Sequence, residues 1–127
     1  MVSIRYKLVW DGYATAGFAP PFQKIKPKQV GALVATARAM ADTGCSSMVA
    51  GPDFYTNLGL SKNDLIPVKT IVRAANRTVI DIVGAVIVDI RLNAAGSERM
   101  TKQVVYISEM ATKPYLNLEV CKHLGLA

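Results

Sequence analysis

Between residues 65 and 107 the chain runs as apolar, β-branched stretches parted by short polar turns, and no link there has room for the helical crossover that repeated parallel strands need. That spacing predicts an all-β, mostly antiparallel domain. Residues 65–72 and 79–92 are predicted strands of one hairpin with its tip at 74–78, the second strand being bent or bulged at Gly84. Residues 93–97 supply the next turn and 102–107 the next strand. Upstream, 2–10 alternates as a first strand before the turn signal Asp11-Gly12, and 32–41 is an apolar strand interrupted only by Thr36 and Arg38. Gly17, Pro20, Pro21 and Pro27 make the stretch between them a loop. Two short helices complete the set. One spans 52–58, with Pro52 in its first turn and Gly59 at its end. The other follows Pro114, capped by Asn117, with Glu119 in its first turn and Leu116, Val120 and Leu124 on one apolar stripe.

A chain of 127 residues, 51% hydrophobic and 19% charged, can close one core without disulfides. A single domain over 1–127 is expected, with a strand and a Pro/Lys-containing loop in 1–30 and the core in 31–127. No apolar run approaches the roughly 18 residues of a membrane span, and residues 1–10 lack the basic start and apolar block of a secretory signal. No membrane association and a cytoplasmic location are therefore expected. Two cysteines, Cys45 and Cys121, and one histidine, His123, are too few for a disulfide scaffold or a zinc site, so neither metal nor cofactor is expected. The net charge of +6 suits an acidic partner, but the basic residues are spread along the chain. Their densest cluster, Lys24, Lys26 and Lys28, shares one face of an extended segment. No aromatic residue alternates with these lysines, so a solvated loop is expected there and nucleic acid is not the expected partner.

Chemistry concentrates in Asp42-Thr43-Gly44-Cys45-Ser46-Ser47, directly after an apolar strand. A tight turn with a Thr hydroxyl and an unhindered Gly N–H can hold a carboxylate rigidly, and Ser46 and Ser47 can brace it. Alone, Asp-Thr-Gly is also compatible with a plain strand-ending turn. Other candidates are weaker. Cys45 as a nucleophile needs a base, and His123, the one imidazole, suits a contact with the C-terminal end of a helix. Asp81 and Asp89 fall in apolar strands, where a solvent-facing carboxylate is the simpler expectation.

The order of parts adds to the motif. An apolar strand ending in Asp42-Thr43-Gly44, a short helix closing on Leu58-Gly59-Leu60, the hairpin Arg73-Ala74-Ala75-Asn76-Arg77-Thr78 and then Val79 through Val86 resemble the retropepsin-like aspartic proteases, particularly those of retrotransposons, over roughly residues 30–126. The resemblance implies an acid-protease fold with its active site at a homodimer interface, because one chain carries only one Asp-Thr-Gly. It implies Asp42 as the catalytic carboxylate, Thr43 as the hydroxyl joining the two active-site loops and Gly44 as the backbone near substrate, with Cys45 and Ser46 completing the loop. Arg73, Ala74, Ala75, Asn76, Arg77 and Thr78 become the flap over a peptide or polyprotein substrate, with Arg73 or Arg77 hydrogen-bonding near its tip. The implied activity is endopeptidase cleavage of a retroelement polyprotein. The alternatives are a catalytically weak or inactive dimerisation or peptide-binding module on the same fold and, last, a basic nucleic-acid-binding domain.

The chain departs from the family at Tyr115-Leu116-Asn117-Leu118-Glu119, where an apolar pair is usually followed by Gly, Arg and Asp or Asn. Asn117 is expected to stand in for the glycine in left-handed backbone. Nothing stands in for the Arg that usually orients the active-site loop. The sequence ends at Gly125-Leu126-Ala127, directly after the last predicted helix, where many retropepsins add a dimer strand. Dimerisation would then use another surface, such as 1–30, or flanking polyprotein.

Overall fold

The computed structural model describes residues 1–9, 34–68 and 71–126. The expected Asp11-Gly12 turn, the loop with Gly17, Pro20, Pro21 and Pro27, the lysines Lys24, Lys26 and Lys28, and the start of the second strand at Ala32 lie outside these residues.

The described chain is mostly β-sheet with two short helices. In order it forms β1 (Val2–Leu8), β2 (Val34–Ala41), β3 (Val49–Ala50), α1 (Pro52–Thr56), a 3-10 turn (Lys62–Asp64), β4 (Val72–Arg73), β5 (Val79–Ile80), β6 (Gly84–Leu92), β7 (Met100–Ile107), β8 (Tyr115–Leu116) and α2 (Leu118–His123). Six strands close a barrel in the order β1-β2-β8-β3-β7-β6, and β4-β5 is a separate hairpin. The long pairings, β1 with β2 and β6 and β6 with β7, are antiparallel, as the short turns require. The short β2–β8 and β3–β7 pairings are parallel.

Alternation along each long strand sorts side chains between two faces. Ile4, Tyr6 and Leu8 of β1, Val86, Val88 and Ile90 of β6, and Val105 and Ile107 of β7 point into one buried cluster. Leu116, Val120 and Leu124 join it, but of the stripe expected for the last helix only Val120 lies within α2, Leu116 ending β8 and Leu124 being the C-cap.

Two expected strands are interrupted. Among the described residues the stretch 65–72 yields a bridge from Ile66 to Ala85, which exchange both backbone hydrogen bonds, and then the first residue of β4. The stretch 79–92 divides into β5 and β6 with a break at 81–83. Gly84 opens β6 where a Cβ would stand 2.6 Å from Leu65 Cβ, so the missing side chain is what lets the two segments meet. Strand β7 begins at Met100, earlier than expected, and the two-residue strands β3 and β8 were too short to leave any alternation in the sequence.

Tyr6 anchors α1 to the barrel. Its ring stacks on Phe54 with centroids 3.8 Å apart, and its hydroxyl donates to the Phe54 carbonyl at 2.8 Å. Burial is the main reason its pKa is pushed up to about 12 from 10.0. The unfolded chain therefore releases this proton first. Stability from Tyr6 is fully present below pH 10 and falls as pH rises from there through about 12, by on the order of 2 kcal/mol in total. Urea midpoints compared at about pH 9 and about pH 11.5 should show the loss, and Tyr6→Phe should flatten that part of the pH dependence. An unchanged slope in the variant would assign the alkaline sensitivity elsewhere.

Candidate active site

Strand β8 lies between β2 and β3, parallel to the first and antiparallel to the second. The connection 42–48 must therefore pass over the end of β8, and Asp42-Thr43-Gly44 occupies that crossing. The Asp42 N–H donates to the Leu116 carbonyl at 2.8 Å, continuing the β2–β8 pairing, and the Cys45 N–H returns to the Asp42 carbonyl at 3.1 Å to close the turn. Asp42 is half-buried, Thr43 and Gly44 are exposed and Cys45 is buried. Among the described residues nothing hydrogen-bonds the Asp42 carboxylate or the Thr43 hydroxyl.

Ser46 fastens the loop to the hairpin. Its N–H donates to the Arg73 carbonyl and its Oγ accepts from the Arg73 N–H, both at 3.2 Å. The hairpin turns through three residues, with Arg77 N–H donating to Ala74 O at 2.9 Å and Ala74 N–H to Thr78 O at 3.0 Å. Such a turn ends in a left-handed residue, and Arg77 takes that place at φ 66°. Asn76 Oδ1 braces the turn by accepting from the Thr78 N–H and hydroxyl, at 3.1 and 2.6 Å. Arg73 does hydrogen-bond at the tip, donating to the Arg77 carbonyl at 3.4 Å.

The tip lies on the Asp42 loop. A Cβ placed on Gly44 would stand 2.6 Å from the Ala75 Cβ and 3.7 Å from Asp42 Oδ1. One point beside Gly44 thus touches both the carboxylate and the hairpin, a closeness that only glycine permits. The expected site residues from Asp42 to Ser46 and from Arg73 to Thr78 are all brought to this one place.

Asn117 corrects an expectation and supplies something missed. Its backbone is extended, at φ −74° and ψ 175°, so no left-handed role exists for it. It is the N-cap of α2, with Oδ1 accepting from the Val120 N–H at 3.2 Å, which leaves its amide NH2 free to donate to the Ser46 carbonyl at 3.4 Å. Helix α2 is thereby tied to the Asp42 loop in the absence of the Arg of the family pattern. The signal was present in the residue type, since capping uses only the oxygen of an asparagine. Asn117→Ala should cost about 1–2 kcal/mol in chemical denaturation, whereas Asn117→Ser keeps a capping oxygen and loses the bond to Ser46. Equal losses from both would place the whole effect in the loop contact.

The remaining candidates do not join this site. His123 lies 3.2 Å from Thr101 Oγ1, on β7, and Asp81 is exposed outside any strand. Burial, followed by the negative Asp42, pushes the Cys45 thiol up, which leaves less of the thiolate a nucleophile needs. Among the described residues no group of three or more His, Cys, Asp or Glu could hold a metal ion, and no helix is long and apolar enough to cross a membrane. No family model, curated protein or solved structure matches the chain.

Proposed function

We propose that the chain is an aspartic endopeptidase of the retropepsin-like class, active as a homodimer, with a retroelement polyprotein as its substrate class. The observation that carries this reading is the seating of the hairpin tip at Ala75 on Gly44, beside a half-buried Asp42 whose carboxylate has no hydrogen bond within the described chain.

One carboxylate cannot serve as acid and base at once, so the reading needs a second Asp42 across a two-fold axis. Two carboxylates about 3 Å apart share a proton, and the pair titrates as a unit. The ionised member takes a proton from a water between them as that water attacks the peptide carbonyl carbon. The protonated member donates to the carbonyl oxygen, giving a tetrahedral diol with no covalent enzyme intermediate. On this reading Thr43, which is exposed, would bond the counterpart loop of the second copy. The 74–78 hairpin would cover an extended substrate and keep bulk water from the diol.

The test is cleavage of a mixed-peptide library between about pH 3 and pH 8 over a range of protein concentrations. The reading predicts a bell-shaped pH profile, suppression by pepstatin-like inhibitors, and a rate that rises roughly as the square of protein concentration while monomer predominates. Peptide binding without cleavage at any concentration would favour the non-catalytic peptide-binding module. A rate strictly first order in protein down to the lowest concentrations would remove the dimer.

A further inference from the structure

Strands β2, β1, β6 and β7 are adjacent in the barrel, and the face they turn away from the core is basic. The register sets Arg5 opposite Arg91, Lys7 opposite Asp89, Asp89 opposite Lys102, and Arg38 opposite Ser3. Five cations therefore share four strands with one carboxylate. Lys7, Arg38, Arg91 and Lys102 are exposed and Arg5 is half-buried. Among the described residues the one ion pair, Lys62 with Glu109, is not on this face.

The arrangement opposes the sheet's own stability. Like charges directly across a strand pair repel, and Arg5 faces Arg91. Arg5 Nε and Asp89 Oδ1 are buried without hydrogen-bond partners among the described residues. They border a groove of about 410 Å³ also lined by Lys7, Arg91 and Met100. The described contact of the Arg91 guanidinium is from Nη2 to Met100 Sδ at 3.5 Å, and a thioether is a weak acceptor, so its donors remain largely available. An anion would relieve the Arg5–Arg91 repulsion and take up the free guanidinium donors, while the Asp89 carboxylate opposes it.

We propose that this face binds the phosphodiester backbone of a single-stranded nucleic acid without reading its bases. Cations on alternate residues of neighbouring strands present donors at intervals of roughly 5–7 Å, which suits a chain of phosphates better than one small anion. Guanidinium forks match phosphate oxygens in geometry as well as charge. Among the described residues no exposed aromatic ring lies between these cations, and contacts made to phosphates alone carry no sequence information. The apolar side chains exposed on the face, Val34, Met40 and Met100, include no Trp or Phe and are interleaved with charge, unlike the continuous apolar layer of a membrane-surface element. The inference is independent of the hydrolytic reading, and it reverses the expectation from sequence, where only the lysines of residues 24–28 were close enough together to suggest a patch.

Anisotropy of a labelled 20-nucleotide poly(U) RNA, titrated with the full chain across 50–300 mM salt, tests it. Five phosphate contacts predict a log–log salt slope of about −3.5. Arg91→Gln and Lys102→Gln should each weaken binding severalfold and make the slope shallower by about 0.7, and Asp89→Asn should tighten it. Asp42→Asn should bind as the parent does, which separates this face from hydrolysis. If Arg91→Gln lowers the melting midpoint, the exposed Lys102→Gln carries the test. No binding at 50 mM salt would overturn the proposal. So would binding that both variants leave unchanged while a Lys24, Lys26 and Lys28 to Gln triple variant abolishes it, or tighter capture by phosphatidylserine vesicles than by RNA at equal salt.

Discussion

Asp42→Asn should lower peptide cleavage about a thousandfold and leave the unfolding midpoint nearly where it was. The first part follows from the chemistry proposed for the pair. An amide can neither take the proton of the attacking water nor share one with its twin, and positioned acid–base catalysis contributes on the order of 10²–10⁴-fold. The second part follows from the surroundings of residue 42. Its structural bond is the backbone donation to Leu116 O at 2.8 Å, which asparagine keeps, and the carboxylate makes no hydrogen bond within the described chain. A half-buried isosteric change of that kind costs within about 0.5 kcal/mol. Mixing gives a sharper result. If each site needs one Asp42 from each protomer, equal amounts of variant and parent at fixed total protein should leave roughly a quarter of the parent rate, since random pairing makes only that share of intact dimers. A rate of one half would mean that each chain works alone. Cleavage that survives the substitution would assign the activity to other residues or another protein.

The parts of the fold legible in the sequence are those where side-chain chemistry repeats. Alternation in β1, β6 and β7 marked their inward faces, and the spacing of Leu116, Val120 and Leu124 marked three core residues, though only Val120 of them is inside the last helix. Asn117 was legible as a cap because its side chain bonds only three residues away. Legibility failed where the deciding contact was distant in the chain. Strands β3 and β8 exist because they pair with β7 and β2, far away in the chain, and two-residue strands leave no period to read. Of the strand expected at 65–72, the described residues form the Ile66–Ala85 bridge and the start of β4 at Val72, and Pro67 beside that bridge was a local signal against a continuous ladder. The same division holds at the candidate site. Asp42-Thr43-Gly44 and the 73–78 hairpin are visible as motifs, but the ties from Ser46 to Arg73 and from Asn117 to Ser46 span 27 and 71 residues. The basic face is a product of register alone: Arg5, Arg38, Arg91 and Lys102 are scattered in sequence and become neighbours only when β2, β1, β6 and β7 pair.

Two glycines with crowded surroundings should respond to the same substitution in opposite ways. Gly51→Ala should destabilise the protein by about 3 kcal/mol, equivalent to roughly 10 °C in melting midpoint. The added methyl would overlap the carbonyl oxygen of Ala111, and backbone is what it meets. Neither side can retreat cheaply. Gly51 is buried as the N-cap of α1, its carbonyl accepting from the Phe54 N–H at 3.1 Å. The opposing segment is held to β3 by Ser108 N–H donating to Ala50 O at 2.9 Å, and Ala111 N–H in turn donates to Ser108 O at 3.2 Å. At Gly44 the methyl meets Ala75 Cβ at 2.6 Å, on the turn of a hairpin whose ladder is the two pairs Val72–Ile80 and Arg73–Val79. So slight a ladder yields more easily than the barrel wall, so Gly44→Ala should cost under about 1 kcal/mol of stability. On the proposed reading it should still lower kcat/KM about tenfold or more, because the added methyl displaces the hairpin tip from its position over Asp42. Ala75→Gly removes the opposing methyl and should restore most of that loss in the double variant, whereas it can do nothing for Gly51→Ala. Urea denaturation and initial rates on the four variants separate the two sites. A Gly51→Ala chain within about 1 kcal/mol of the parent would mean that the 108–111 segment gives way, and a Gly44→Ala defect without rescue by Ala75→Gly would mean that the hairpin tip does not act through this contact.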